Sequence, residues 1–590
     1  MSHLSKIFEE APIKVQNRNG FDLSHTHAGT SKCGQLVPVL TKLLPPNTTV
    51  SLGVNAEVNL PPLVAPFYGK IDFAIEGFVV PLSILYGGWK QFISNQEMTQ
   101  FPSSQAFLTP STYQNTTTES SSSNVVGHNG INLRNDGYAL PVFYFNAVRS
   151  GDTANFNTLS SRNENIYDYF GASFVSSQTP LSLEFRMSLM PAIAYHKICD
   201  TFYRNTKITR TWFAVNPNFN RENLTPEQSI NSKNVSLIWH SFYSESSTAY
   251  AGASPLFTST DNLTFPDGVS VFSTRQRPWM RDYFTSAVPS PQQGGYSELK
   301  FSVDTTSGDG SFTISALRVA NSLQKFLETN NLGGEYDEMI RNRWGIRPID
   351  ADFDEPHYLG RLVIPVYQHT ISKNDSSIGA SESTERQVNP FTSLGILGSK
   401  AGSGQANGEG SICDNFNIST WSYLMCIASL YPHASYNWGV NRELTMTKLG
   451  DFPAPELQSV GMEDIKLYEI YGVNGTDFNE TFGYIPRYSR FKYMDDRVSG
   501  ELRPSKTLRQ YSIQRNFLTK PQLGTQFTLI NNSALDNVLA TTTAEMNLTC
   551  WWEIYFSLHV VMPLADYCIP TLGELQDTHT IKSTVGGSRL

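Results

Sequence analysis

Two stretches of strict alternation, near opposite ends of a 590-residue chain, constrain its fold most strongly. In TTVSLGVNAEVNL (48–60), every second residue from Val50 to Leu60 is apolar. In EMNLTCWWEIYFSLHVV (545–561), the same is true from Met546 to Val560. A period of two places alternate side chains on one face of a β-strand. The pattern therefore predicts two strands, each with one buried face, from distant parts of the chain.

Strands at both ends of a chain predict a β-sheet core that is closed by sequence-distant partners, as in a sandwich or jelly roll. A further strand is predicted in KIDFAIEGFVV (70–80), where Ile71, Phe73 and Ile75 share a face. Eight strands of roughly six residues use only about fifty positions. The fold is therefore predicted to be mainly β, with most of the chain in insertions.

The insertions divide into helical and polar segments. Residues 314–346 repeat apolar side chains at helical spacing, and a further helix is predicted after Pro191. Polar or glycine-rich runs predict loops at 114–130, 206–274, 372–385 and 398–410, and a tail at 573–590. The run GSKAGSGQANGEG (398–410) lacks the GK[ST] ending and preceding strand of a phosphate-binding loop, so we predict a flexible loop there.

The composition describes a folded chain with few surface charges. Only 16% of residues are charged, 12% are aromatic, and the formal net charge is −9. A surface rich in Ser, Thr and Asn suits large, permanent protein–protein contacts. The acidic balance argues against a dedicated nucleic-acid-binding domain, which would be basic overall, but permits a local basic patch.

The cysteines and the N-terminus indicate an intracellular origin. Six cysteines without CxxC spacing are too few for a disulfide scaffold and are expected to be reduced and structural. The first residues lack the apolar core of a secretory signal, and no apolar run is long enough to span a membrane. We expect synthesis and folding in a cytoplasm, with no membrane partner.

Few residues suggest chemistry. His25 and His27 lie two residues apart, but a metal would need further ligands from elsewhere. Asp495 and Asp496 form a carboxylate pair that a turn explains equally well. The sequence contains no GxSxG and no HExxH. We therefore predict no catalytic residue, no cofactor and no metal.

The segment FGYIPRYSRFKYMDDRVSGELR (482–503) interleaves basic and aromatic residues within an acidic chain. Cations that hold phosphates and rings that stack on bases are typical of a nucleic-acid groove. The alternative is a half-buried segment whose long side chains pack at its edge. If 486–494 is extended, its basic residues divide between two faces, which favours packing.

Several blocks, collinear from about residue 20 to 570, resemble the major capsid protein of the microviruses, small icosahedral single-stranded-DNA phages, and most closely its gokushovirus branch. The blocks are FDLSHTHAG (21–29), FAIEGFVVPLSILYGGWKQF (73–92), LMPAIAYHKICDTFYRN (189–205), RPWMRDYFTSAVPSPQQG (277–294), LRVANSLQKFLETNNLGGEYDEMIRNRWGI (317–346) and the 482–503 segment. The positions that carry the resemblance are expected to be structural: Phe21, Asp22, His25, Trp89, Arg281, Asp282, Tyr283, Phe284, Arg487, Tyr488 and Tyr493.

The resemblance implies a single capsid domain over 1–590, an eight-stranded antiparallel jelly roll with large insertions. It implies pentamers and a T=1 icosahedral shell around circular single-stranded DNA, without enzymatic activity. The virion is then the final location, reached from the host bacterial cytoplasm. One inserted loop of the gokushovirus branch forms a protrusion at the threefold axes; we predict 206–275, with 104–136 as the alternative.

The resemblance also implies partners: a small basic DNA-packaging protein, an internal scaffolding protein, a pilot protein and a host surface glycan or receptor. For the DNA itself, we predict modest, sequence-independent contacts from Arg490, Lys492, Arg497 and Arg503. From the residues alone, a different class of protein also stays open, namely a carbohydrate-binding or glycoside-cleaving β-sandwich. A glycosidase would need two carboxylates on either side of one cleft.

Overall fold

A computed structural model describes the segments that form the core and the lobe beside it. They are residues 18–85, 89, 93, 142–145, 166–172, 185–188, 190–209, 269, 273–290, 355–372, 400–448, 451–457, 462–472, 479–504, 506–517, 519–540 and 548–564. The predicted loops 104–136 and 114–130, the helical insertion 314–346 and the tail 573–590 lie outside the described residues, as do nearly all of 206–275 and of 372–385. These predictions stay predictions.

The described segments contain fourteen strands, numbered β1 to β14 in chain order. They are Asn19–Asp22, His25–Ser31, Val37–Leu44, Thr48–Asn59, Ile71–Pro81, Val142–Phe145, Phe185–Ser188, His357–Pro365, Tyr367–Ser372, Lys400–Ile418, Ser422–Pro432, Met462–Lys466, Thr481–Pro486 and Cys550–Met562.

Helices are short in the same segments. The α-helices, α1 to α4, are Leu82–Leu85, Ile166–Tyr169, Met190–Ile198 and Thr525–Thr528. The 3-10 turns are Arg442–Thr445, Pro455–Leu457, Leu467–Glu469, Ser489–Phe491, Gly500–Leu502 and Arg509–Tyr511. The predicted helix at Pro191 is confirmed as α3, which continues as a π-helix over Cys199–Tyr203. Pro191 occupies the first turn, where a missing N–H removes no helical bond.

Two antiparallel sheets make up the core. The first has the order β1-β14-β4-β10-β9, with β2 also paired to β14, and the second has the order β3-β11-β5-β8. Strands β14 and β4 are direct neighbours, in a register that pairs Val560 with Val50 and Trp552 with Val58. The prediction that distant ends of the chain close one sheet is confirmed.

The apolar faces of both sheets line one hydrophobic cluster. Leu52 and Phe556 come from the first sheet, and Phe73 and Leu424 from the second, and all four are fully buried. Along β14, buried and exposed residues alternate as predicted, and Tyr555 faces solvent. Burial of so much apolar surface is the main stabilising contribution to such a core.

The prediction of a flexible loop at 398–410 is wrong, because residues from Lys400 onward belong to β10. This strand pairs with both β4 and β9. Its glycines face large side chains: a Cβ on Gly404 would lie 2.7 Å from Leu60 Cδ1, and one on Gly408 would lie 3.0 Å from Ile364 Cγ1. Small residues let neighbouring side chains approach the strand closely. A strand built this way carries little hydrophobic signal in its sequence.

The described cysteines are free thiols, as expected: Cys33, Cys199, Cys413, Cys426 and Cys550. Burial raises the pKa of Cys199 and of Cys550 to about 12, which keeps both protonated and unreactive at neutral pH. Cys568 lies outside the described residues. Among the described helices, none has the length and apolar character needed to cross a bilayer.

Candidate functional site

The segment 482–503 lies in a lobe beside the core, which has a second hydrophobic cluster of its own. Its members come from several segments: Tyr283, Phe284, Ala287, Tyr436, Ile465, Leu467, Ile470, Phe482, Ile485 and Phe527. Strand β13 contributes Phe482 and Ile485 and pairs with β12. The RPWMRDYF and FGYIPRYSR blocks are therefore parts of one packed unit, although they lie far apart in sequence.

The segment is not extended beyond β13, so the division of its basic residues between two strand faces does not occur. Tyr488 adopts a left-handed conformation with φ of 63°, and Ser489–Phe491 forms a 3-10 turn. The Tyr488 N–H donates to Glu463 Oε2 at 2.9 Å. Its hydroxyl oxygen accepts a hydrogen bond from the Ala454 N–H at 3.1 Å. These two contacts hold a backbone conformation that is unfavourable for a tyrosine.

Arg490 is buried under this turn and contacts other residues of the chain. Its Nη1 lies 3.1 Å from Asp495 Oδ2, its Nε donates to Asn441 Oδ1 at 3.2 Å, and its guanidinium lies 5.1 Å from the centre of the Tyr283 ring. Only 6% of Arg490 is exposed. A guanidinium paired and covered in this way has no free face for a phosphate, so its placement favours the packing interpretation for this residue.

Asp495 and Asp496 are separated by their environments, and only Asp495 is buried. Burial, followed by the charge of Asp282, raises the pKa of Asp495 to about 6, against the opposing effects of Arg490 and Arg497. Asp495 Oδ1 has no hydrogen-bond partner among the described residues. The pair therefore differs from two carboxylates that share one exposed cleft.

Asp282 organises the RPWMRDYF block (277–284), one of the blocks that carry the resemblance. Its Oδ1 accepts hydrogen bonds from the N–H groups of Phe284 and Thr285 at 2.9 and 2.7 Å, and its Oδ2 accepts one from the Tyr436 hydroxyl at 2.5 Å. Tyr283 is buried and donates to Glu469 Oε2 at 3.2 Å. Arg281, by contrast, is exposed.

Sequence reasoning missed Arg515, which lies at the centre of the same cluster. Its guanidinium lies within 6 Å of four ring centres, those of Trp279, Tyr436, Phe517 and Phe527. It donates to the Tyr436 hydroxyl at 3.1 Å and to the Phe527 carbonyl. The local sequence QRNF does not predict that Arg515 contacts four rings, because those rings come together only in the folded protein.

The remaining basic residues of the segment are on the surface. Lys492, Arg497 and Arg503 are exposed, and none of them forms an ion pair with the described residues. Arg487 is half-buried, with its guanidinium 5.8 Å from the Tyr488 ring centre, and Tyr493 is exposed. DNA contact stays a prediction for the three exposed cations.

Of the signature residues nearer the N-terminus, Phe21 and Trp89 are wholly or partly buried, whereas Asp22 and His25 are exposed. Phe21 packs against the main cluster, and His25 stacks on Phe556 with ring centres 5.3 Å apart. Asp22 is exposed and accepts a hydrogen bond from the Ser24 N–H at 3.0 Å. Trp89 is buried, with its ring centre 6.5 Å from that of Trp421.

The two candidate metal-binding histidines are engaged separately. His25 Nδ1 lies 3.0 Å from the Leu23 carbonyl oxygen, and His27 Nδ1 lies 2.7 Å from that of Val39. His27 also meets the Trp552 ring edge-on. Within the described segments, no group of three or more His, Cys, Asp or Glu could hold a metal ion.

An aromatic-lined cavity of about 450 Å³ lies on the outer face of the second sheet. Its described lining includes one carboxylate, Glu76, which is paired with Arg277 at 2.9 Å and accepts a hydrogen bond from the Tyr203 hydroxyl. The Arg277 guanidinium lies 4.4 Å from the Tyr431 ring centre. This site does not present the two free carboxylates that glycoside cleavage requires.

Two antiparallel sheets around one core and a lobe of packed aromatic and arginine side chains define a mainly β protein. The chain belongs to the capsid protein (F protein) family, whose model matches residues 11–149 and 158–572. The predicted resemblance to microvirus major capsid proteins is thereby confirmed.

Two curated relatives agree with this family. The chain is 23% identical over 261 residues to capsid protein VP1 of Bdellovibrio phage phiMH2K, a match that covers 44% of this chain and 46% of the relative. It is 21% identical over 267 residues to capsid protein VP1 of Spiroplasma virus 4, covering 45% and 46% respectively. The matched part thus spans about half the length of these relatives.

Proposed function

We propose that this protein is the structural subunit of a closed T=1 icosahedral shell that encloses circular single-stranded DNA. The observation that carries the proposal is the strand order. Counted from one to eight along the chain, the strands β2, β3, β4, β5, β8, β10, β11 and β14 have the orders 1-8-3-6 and 2-7-4-5 in the two sheets. Those orders are typical of an eight-stranded jelly roll, a fold of viral capsid subunits.

The long connections support an assembled rather than a solitary subunit. Long stretches of sequence separate β5 from β8 and β11 from β14, which are strands of the two core sheets. Loops of this size are uncommon unless they are functional or held by partners. In a shell, such loops contact neighbouring subunits and the host, and the insertion 206–275, or else 104–136, forms the surface protrusion that meets a host glycan or receptor.

The charge balance supports a divided role in genome packaging. A subunit with net charge −9 cannot neutralise DNA, so a small basic packaging protein supplies most of the positive charge. Exposed cations of the 482–503 segment add a modest, salt-sensitive contribution. The function is structural, without catalysis, and assembly in the host cytoplasm involves scaffolding and pilot proteins before the virion is complete.

Electron microscopy of the purified protein, alone and with the phage assembly factors, tests the proposal. We expect closed shells or five-fold intermediates. A protein that stays monomeric under every assembly condition would contradict it. Tight binding of single-stranded DNA by isolated subunits at physiological salt would contradict the role of the packaging protein.

A further inference from the structure

Two segments of the lobe lie side by side and form one exposed surface, which we call the docking surface. They are residues 440–448 with 451–456, and residues 487–497. The Ala454 N–H donates to the Tyr488 hydroxyl oxygen, and Asn441 Oδ1 accepts two hydrogen bonds from Arg490. These contacts join the two segments directly.

The docking surface carries exposed apolar residues on both of its segments. Leu444 is 78% exposed and Met494 is 81% exposed. Val440, Phe452, Phe491 and Tyr493 are also exposed. Single exposed apolar residues are ordinary, but a concentration of six on two adjoining segments is typical of a surface that another macromolecule covers.

The surface is held from beneath by buried contacts. Arg490 ties both segments to Tyr283 of the lobe core, and Arg442 pairs with Glu463 at 2.9 Å. Glu463 in turn accepts the hydrogen bond from the Tyr488 N–H. A surface whose exposed residues are already fixed loses little conformational entropy when it binds, which favours association.

The two segments carry opposite charge. On 440–448 and 451–456, the exposed charged residues are Glu443, Lys448, Asp451 and Glu456, so acidic groups predominate. On 487–497, the exposed cations Lys492 and Arg497 outnumber the exposed Asp496. The docking surface therefore has an acidic half, residues 440–448 with 451–456, and a basic half, residues 487–497, and both halves carry exposed apolar residues.

We propose that the docking surface binds the same surface of a second copy across a two-fold axis. In a two-fold contact, residue i meets j while j meets i, so a surface with one acidic and one basic half is complementary to itself. The acidic half of each copy then pairs with the basic half of the other, and the exposed apolar residues of both copies are covered in the contact. The proposal rests on the proposed role as a shell subunit, which needs contacts between copies.

A strand of DNA fits this surface less well, because the acidic half would repel its phosphates. The two-fold contact between copies uses Lys492 and Arg497. Of the exposed cations predicted to bind phosphate in the 482–503 segment, Arg503 then stays available, because it lies outside the docking surface.

Charge reversal in two separate variants tests the contact. Lys492→Glu/Arg497→Glu makes both halves acidic, and Glu443→Lys/Glu456→Lys makes both halves basic. We expect each variant alone to self-associate at least about tenfold more weakly than the wild type, because like charges then face each other. Mixed in equal amounts, the two variants should associate again as a pair. Analytical ultracentrifugation at low and moderate salt measures both effects.

Lys506→Glu/Arg509→Glu is the matched control, because it changes the charge equally at exposed residues outside the docking surface. It should associate like the wild type, and thermal unfolding should show that all variants fold. If the wild type forms shells but the two mixed variants do not associate with each other, the two-fold contact is wrong and the shell function still stands. If Lys492→Glu/Arg497→Glu loses oligonucleotide binding but self-associates like the wild type, the two-fold contact is wrong and the basic segment binds DNA instead. A wild type that never associates would overturn the shell function as well.

Discussion

Gly360 of β8 lies directly against the backbone of Ile412 in β10, so that a Cβ on Gly360 would be 2.4 Å from the Ile412 carbonyl oxygen. The two strands belong to different sheets. Gly77, the partner of Gly360 in β5, approaches the same isoleucine, and its Cβ would lie 2.6 Å from Ile412 Cγ2. The sheets therefore meet at this edge through a contact that only glycine permits.

We predict that Gly360→Ala destabilises the protein by about 2 kcal/mol or more, since the methyl group must displace backbone of the opposing sheet. Chemical denaturation measures the free energy of unfolding. Gly20→Ala is the control, because a Cβ on Gly20 meets no atom within 4 Å. Equal effects of the two substitutions would show that the sheets do not meet as described.

Removal of the Arg490 side chain should destabilise the lobe far more than removal of a neighbouring exposed cation. Arg490→Met leaves Asp495 buried beside Asp282 without its cation, and we expect a loss of about 3 kcal/mol at pH 8. Lys492→Met, at an exposed position, should change stability by less than about 0.5 kcal/mol. A similar small effect of both changes, measured by urea unfolding, would contradict the buried pair.

The raised pKa of Asp495 predicts a pH dependence of stability. Its ordinary pKa is 3.8 and its folded value is about 6, so the folded state binds the proton more tightly than the unfolded state does. Protonation of Asp495 therefore stabilises the folded state relative to the unfolded state. This stabilisation is complete below about pH 4 and is lost as the pH rises through about 6. Asp495→Asn removes this dependence, so the stability of the wild type relative to the variant should fall between pH 4 and pH 7. A constant difference over that range would count against the shifted pKa.

Arg515 should not be replaceable by lysine. A lysine keeps the charge but loses the planar group that contacts four rings, so we expect Arg515→Lys to cost about 2 kcal/mol. Arg509→Lys is the matched control at an exposed position and should have little effect. Comparison of the two melting temperatures distinguishes a role in ring stacking from a general need for positive charge.

Much of the core could be predicted because its signal is local. The alternation in 48–60 and in 550–560 identifies strands and buried faces, and the structure places Trp552 and Phe556 in the core accordingly. Strand β10 was not predicted because its glycines are required by side chains from other segments, Leu60 and Ile364 among them, that pack closely against it. A glycine that is required because a distant side chain packs against it gives no local pattern from which a strand can be predicted.

The 482–503 segment shows the same division. Its sequence shows that cations and rings are concentrated there, and the block contributes to a family resemblance that the match over nearly the whole chain confirms. It does not show that Arg490 is buried on Tyr283 while Lys492, two residues later, is exposed. A left-handed Tyr488 and one 3-10 turn decide that difference, and both depend on Glu463 and Ala454 from other segments. The sequence by itself thus determined the strands, the class and the family, because periodicity and composition are local properties. Only the tertiary structure decided which charged side chains are buried in ion pairs and which are exposed, because burial depends on residues that are brought together from distant parts of the chain.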